Sequence, residues 1–171
     1  MAFWKHLHGA STHFPIVLIM IAVAFDVGAI LFKKEGWRTV AFWCFLLGAL
    51  FTIPSVLSGQ AGVVGWFGVK EDDRAYIEAG SKAEHVVNLH RLLAFVFGGV
   101  SLVLALWRVG VRDKLRGLPF WLWLVVAVAV AGGIGYVGFL GGSISHGDYG
   151  PEDPVAATPA PEESPAASPR P

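Results

Sequence analysis

The sequence predicts an all-α integral membrane protein, a four-helix bundle over residues 1–147 followed by a disordered Pro/Ala/Glu-rich tail over 148–171. Three observations carry this. Only 15% of the 171 residues are Asp, Glu, Lys or Arg, against about 25% in an ordinary globular domain, while 54% are hydrophobic. The charges are segregated, which leaves uncharged runs of 31 residues from Thr39 to Val69 and from Gly117 to Gly147. Seven of the ten prolines fall in the last 21 residues, where nothing apolar enough to fold remains. About 20 apolar residues cross a bilayer as a helix, so this balance excludes a soluble enzyme with a surface active site.

The first span is expected from about His13 to Phe32, with Pro15 in its opening turn, where a missing N–H costs nothing. No secretory signal is expected ahead of it, because Lys5 is the one positive charge there and no small-residue cleavage site follows. The second span runs from about Thr39 to Ser58. Glycines at 59, 62, 65 and 68 then disfavour a continued straight helix, and 59–69 reads as an interfacial or re-entrant segment. The third span covers about Glu84 to Trp107 and the fourth about Pro119 to Gly142.

Orientation follows from Lys and Arg in the short loops. Lys33, Lys34 and Arg38 lie between spans one and two, and Arg108, Arg112, Lys114 and Arg116 between three and four, so both loops are expected in the cytoplasm. The acidic 70–84 loop and both termini then face the periplasm of a bacterial inner membrane. Trp37, Trp107, Trp121 and Trp123 fall at the cytoplasmic ends, and Trp4 and Trp66 near the outer ones, as aromatic belts do.

Six histidines map onto this topology on one face: His6, His8 and His13 at the first span, His85 and His90 at the third, His146 at the end of the fourth. Interfacial histidines serve ordinarily as amphipathic belt residues. As a set drawn from several helices they also match the way a bundle core holds haem, with two imidazoles on the axial positions. His85 and His90 are five residues apart, about 140° round a helix, so they point to different sides, and the same holds for His8 and His13. Two bis-histidine haems, or one haem with spare histidines, both satisfy the count. Arg91 or Lys82 could pair with propionates, or be plain interfacial cations. Asn88 and Ser145 could orient a ligating imidazole, or make helix-to-helix polar contacts. The single Cys44 excludes an internal disulfide, and no Cys-x-x-Cys-His run offers covalent haem attachment. Asp26 reads as a proton carrier or quinone contact, or more simply as an ion pair with Arg38, Lys34 or Arg108.

The run His8-Gly-Ala-Ser-Thr-His13-Phe14-Pro15-Ile16, the pair His85 and Asn88, and the ending Gly141-Gly142-Ser-Ile-Ser-His146-Gly147 resemble the bacterial membrane-protein family called domain of unknown function 2231. The resemblance covers residues 6–149 and implies four spans, with b-type haem binding in electron-transfer systems suggested. By position the family histidines are His8, His13, His85 and His146; His6 and His90 are additional, and Gly9 stands where the family commonly has proline. The pattern His8-x4-His13 also parallels His85-x4-His90, each heading a span pair that ends in a glycine-rich stretch, which suggests an internal duplication with two similar half-sites.

Together these readings give a cofactor-binding set of His8, His13, His85, His90, His146, Arg91 and Asn88, the five histidines being the metal ligands. The expected cofactor is haem b, one or two per chain, with quinone as an open second. The expected function is that of a b-type cytochrome subunit passing electrons near the periplasmic face, not of a stand-alone enzyme. Its partners would be the lipid bilayer, other subunits of a membrane redox complex and a periplasmic cytochrome, with no nucleic acid. Two alternatives share the sequence: a protein binding copper or another transition metal through the same histidines, and a cofactor-free structural subunit.

Overall fold

The computed structural model of the chain describes residues 2–63, 82–111 and 115–146. Four α-helices make up these residues: α1 Ala2–Leu31, α2 Glu35–Val63, α3 Lys82–Val111 and α4 Leu118–His146. Each is long and apolar enough to cross a membrane. The chain is therefore an integral membrane protein whose outer surface meets lipid. The 64–69 part of the expected interfacial segment, the 70–81 loop, residues 112–114 and the tail lie outside the described residues.

Every helix is longer than the span expected from hydropathy. α1 already begins at Ala2, so Pro15 lies well inside it and not in its opening turn. α2 likewise runs on through Gly59 to Val63, where a break was expected. The physical reason is common to both: no water competes for backbone groups in lipid, so a helix persists across residues that would end it in solution. A 30-residue helix such as α1 extends about 45 Å, against about 30 Å of hydrocarbon, so the ends project into the interfaces. The turn from α1 to α2 is short. Lys33 takes a left-handed φ of 53°, and Lys34 N–H reaches back to the Ala29 carbonyl at 3.1 Å, a helix-ending pattern that glycine usually serves.

The helices form a square in which α1 and α3 each pack on α2 and α4. Across the diagonals the contacts are made by long side chains, and a single number relates them. His8 faces His90, Asp26 binds Arg108, and Arg38 lies over Phe120, each pair 82 residues apart. Buried positions repeat at the same interval: Ile19 and Ser101, Ala41 and Trp123, Phe45 and Ala127, Ser58 and Leu140. Helix contacts repeat as well. Ile16 of α1 fills the space beside Gly138 of α4, and Val56 of α2 fills the space beside Gly98 of α3, the same contact with the large and small residues exchanged. The bundle is thus two helix pairs related by a pseudo-twofold axis parallel to the helices.

This duplication differs in register from the one expected from His8-x4-His13 and His85-x4-His90. The structure equates His8 with His90, not with His85. Trp123, expected in an aromatic belt, is fully buried in the core against Phe45. It is the twofold equivalent of Ala41, so an indole fills in one half what an alanine leaves open in the other.

Lipid tails are as apolar as side chains, so close packing holds such helices together and small residues set the approach. A Cβ on Gly48 would lie 2.8 Å from Ile19 Cγ1 and 3.2 Å from the Ile19 backbone nitrogen. The equivalent position in the second pair is Val130, which is accommodated. Gly48→Val should therefore lower stability by about 1–3 kcal/mol through overpacking, read as a lower unfolding temperature in detergent.

Candidate functional site

Two of the six histidines meet. His8 from the second turn of α1 and His90 from α3 face each other across the bundle, ring centroids 6.3 Å apart and planes at 89°. Each is held the same way. His8 Nδ1 lies 2.8 Å from the Ser55 carbonyl of α2, and His90 Nδ1 lies 3.0 Å from the Val137 carbonyl of α4. A carbonyl only accepts, so Nδ1 is the donor in both rings and Nε2 is the nitrogen left to meet another partner. Each carbonyl sits four residues before a glycine on which the ring rests. A Cβ on Gly59 would be 2.7 Å from His8 Cε1, and one on Gly141 would be 3.2 Å from His90 Cε1.

The pair opens into a cavity of about 460 Å³ between the four helices. Ile16, Phe97 and Ile134 give it apolar walls, and Gly9 and Gly142 leave open space on two more. Its polar groups are Thr12, Thr52, Ser55, Gln60, Arg91 and Ser145 besides the histidines. Gln60 is 8% exposed, and its Oε1 has no hydrogen-bond partner among the described residues.

The other expected site residues are distributed differently. His13, His146 and Arg91 line the cavity but are exposed, and His146 Nδ1 bonds to the Gly142 carbonyl of its own helix at 2.8 Å. Ser145, weighed as an orienting partner, donates to the Gly141 carbonyl of its own turn. His85 and Asn88 are exposed and do not line the cavity. The five-residue spacing explains this: with His90 turned inward, His85 is carried round the helix by about 140°. The histidine that the family resemblance set aside as additional is thus the one opposite His8. Sequence reasoning also missed Ser55, Ser58 and Gln60, whose signal was present as polar residues at helical spacing in an otherwise apolar span.

Among the described residues no three His, Cys, Asp or Glu side chains come together. A structural zinc site draws four ligands from the protein, and a catalytic one three. Two facing imidazoles with bonded Nδ1–H groups suit an ion that brings its remaining ligands with it, and the Nδ1–H bond to a carbonyl is the usual way a ligating histidine is oriented.

Toward the other end of the bundle lies an ion pair. Arg108 donates from both terminal nitrogens to Asp26, at 2.5 and 2.9 Å, and from one of them to the Arg38 carbonyl at 3.3 Å. Its guanidinium stacks on Trp123 at 4.2 Å. Asp26 is fully buried, and both carboxylate oxygens are engaged. Of its expected readings, the ion pair is the one that forms. It lies 18 residues beyond each histidine, about 27 Å along the helices.

Residues 5–149 match the protein family described as predicted membrane protein, DUF2231. The chain belongs to that family. The matched range includes nearly all of the four DUF2231 helices, the histidine pair and the Asp26–Arg108 pair. No curated protein and no solved structure matches the chain.

Proposed function

We propose that this protein is a membrane-embedded b-type cytochrome subunit in which His8 and His90 are the residues that would hold one haem b. One observation carries the reading. A first-row metal ion takes an imidazole nitrogen at about 2.0–2.1 Å, so two imidazoles bound on its opposite sides have centroids about 6.4 Å apart. His8 and His90 stand at 6.3 Å. The cavity around them, where Gly9 and Gly142 leave open space, supports the same group, since a macrocycle needs walls without side chains.

Haem b supplies one-electron transfer when bound. The chain's own residues orient and insulate it: Ser55 and Val137 carbonyls fix the two rings, Gly59 and Gly141 let them sit against the partner helices, and Arg91 offers a cation to a propionate. One histidine pair argues for one haem in place of two. The Asp26 carboxylate, engaged by Arg108, gives a quinone no contact there. With Lys33, Lys34 and Arg38 on the cytoplasmic side, the histidine end faces the periplasm. A single centre near that face does not carry electrons across the membrane alone, so the protein works beside other subunits of a redox complex, with a periplasmic cytochrome as the natural acceptor or donor.

Purified from membranes of a haem-replete host, the protein should show a Soret band that shifts and sharpens on reduction, α and β bands, and one haem per chain. A preparation with no haem, whether colourless or carrying copper instead, overturns the reading.

A further inference from the structure

We propose that the end of the bundle opposite the histidines binds a phosphate group, free or carried on a lipid, at Arg38 with Lys34 and Arg116 on either side. This site is separate from the histidine cavity and does not depend on what that cavity holds.

Residues that touch their own counterparts lie on the pseudo-twofold axis, and three layers do so: His8 with His90, Asp26 with Arg108, and Arg38 with Phe120. The last layer is the one nearest the end, so Arg38 caps the bundle there. Its guanidinium is held 4.3 Å over the buried Phe120 ring. Arg108, one layer in, turns its charge to Asp26 and gives Arg38 only a hydrogen bond to the backbone carbonyl.

The charge of Arg38 is poorly met. Its Nε is shut off from solvent and makes no hydrogen bond among the described residues. The Glu35 carboxylate stands 3.8 Å away with its side chain 82% exposed, and an ion pair so open to water contributes little.

Comparing the two halves shows what is missing. The interval of 82 pairs Lys34 with Arg116 and Glu35 with Gly117. Each turn thus puts a cation just ahead of the next helix, on opposite sides of the axis, but only the first follows it with a carboxylate. Lys34 and Arg116 are exposed and make no ion pair among the described residues. With Asp26 and Arg108 cancelling, Lys33, Lys34, Arg38 and Arg116 face the single carboxylate of Glu35. A phosphate answers this arrangement, since the planar guanidinium fork matches its oxygens and flanking cations match its charge. The depth is right as well. Trp37 and Trp121 are exposed at this end, as aromatic side chains are at the headgroup level where lipid phosphates lie.

The test uses the purified full chain, with whatever cofactor it carries, in detergent micelles. The probes are inorganic phosphate, phosphatidylglycerol and phosphatidylcholine, whose own cation neutralises its phosphate. Binding is read by native mass spectrometry and by the unfolding temperature. One phosphate or one phosphatidylglycerol should bind saturably, and phosphatidylcholine should not. Saturation by inorganic phosphate shows that the group alone suffices, and saturation by phosphatidylglycerol alone shows that it comes on a lipid. Arg38→Gln should weaken binding about tenfold through the lost charge-assisted hydrogen bonds. Arg116→Gln, at an exposed position that leaves the core intact, should weaken it several-fold. Lys33→Gln removes the same charge from the same turn outside the set, and should weaken it by about twofold at most. The proposal is overturned if neither phosphate nor phosphatidylglycerol saturates, or if phosphatidylcholine binds as well as phosphatidylglycerol. It is overturned too if Lys33→Gln loses as much as Arg38→Gln and Arg116→Gln, which is what diffuse attraction between charges would give.

Discussion

Replacing Arg108 with alanine is expected to destabilise the bundle by about 3–5 kcal/mol, because it leaves the Asp26 carboxylate buried with no counter-charge. Arg108 makes both hydrogen bonds to that carboxylate, one more to the Arg38 carbonyl, and a stack on Trp123. Asp26→Asn should also destabilise, since it leaves the buried Arg108 guanidinium without its counter-charge. The pseudo-twofold adds a sharper expectation. Asp26 and Arg108 occupy equivalent positions on α1 and α3, so the exchange Asp26→Arg with Arg108→Asp restores the pair across the same axis. It should recover more than half of the loss, though not all, because Arg108 stacks on Trp123 and the counterpart of Trp123 in the first half is Ala41. Unfolding in mixed micelles reads the order. An exchanged variant no more stable than Arg108→Ala would show that the two positions are not equivalent.

The joint variant His8→Ala/His90→Ala should lose haem completely and keep its fold. Both rings are half-buried at one end of the bundle, and the packing core, with Ile19, Phe45, Leu104 and Trp123, lies elsewhere. The triple variant His13→Ala/His85→Ala/His146→Ala should keep one haem per chain, since none of those rings faces another imidazole. Haem content by pyridine haemochrome, set against helicity by circular dichroism, gives the comparison. Equal loss in both variants would mean that the cofactor is held elsewhere.

The two variants divide the histidines differently from a reading of the sequence, and the reason is rotational. Sequence hydropathy places every histidine at one end of the bundle, because position along a span depends only on counting residues. It does not settle which way a side chain turns. His85 and His90 lie about 1.4 turns apart, and the choice between them depends on how α3 is rotated against α2 and α4. That rotation is fixed by Gly98 meeting Val56 and Phe97 packing on Gly133. The family pattern favoured His85, whereas packing turns His90 inward.

The duplication shows the same division. The sequence suggests a repeat through similar histidine spacing, but the two halves share few identical residues once aligned by 82. Aspartate stands opposite arginine, tryptophan opposite alanine, and glycine opposite isoleucine. A twofold interface asks for complementary residues at its axis, and identical ones there would place like charges or like bulk against each other. Symmetry of this kind therefore hides from sequence comparison and appears only as contacts.

What the sequence determined by itself was the solvent and the layout: four spans, a membrane setting, and all histidines at one end. These follow from hydropathy and length, which are sums over residues and need no knowledge of neighbours. Tertiary structure decided the rest: that His8 meets His90, that Asp26 closes on Arg108, and that Gln60 lines the cavity in one half where Gly142 lines it in the other. Those depend on helix rotation, and in a bilayer rotation is set by which small residues let a neighbouring helix come close.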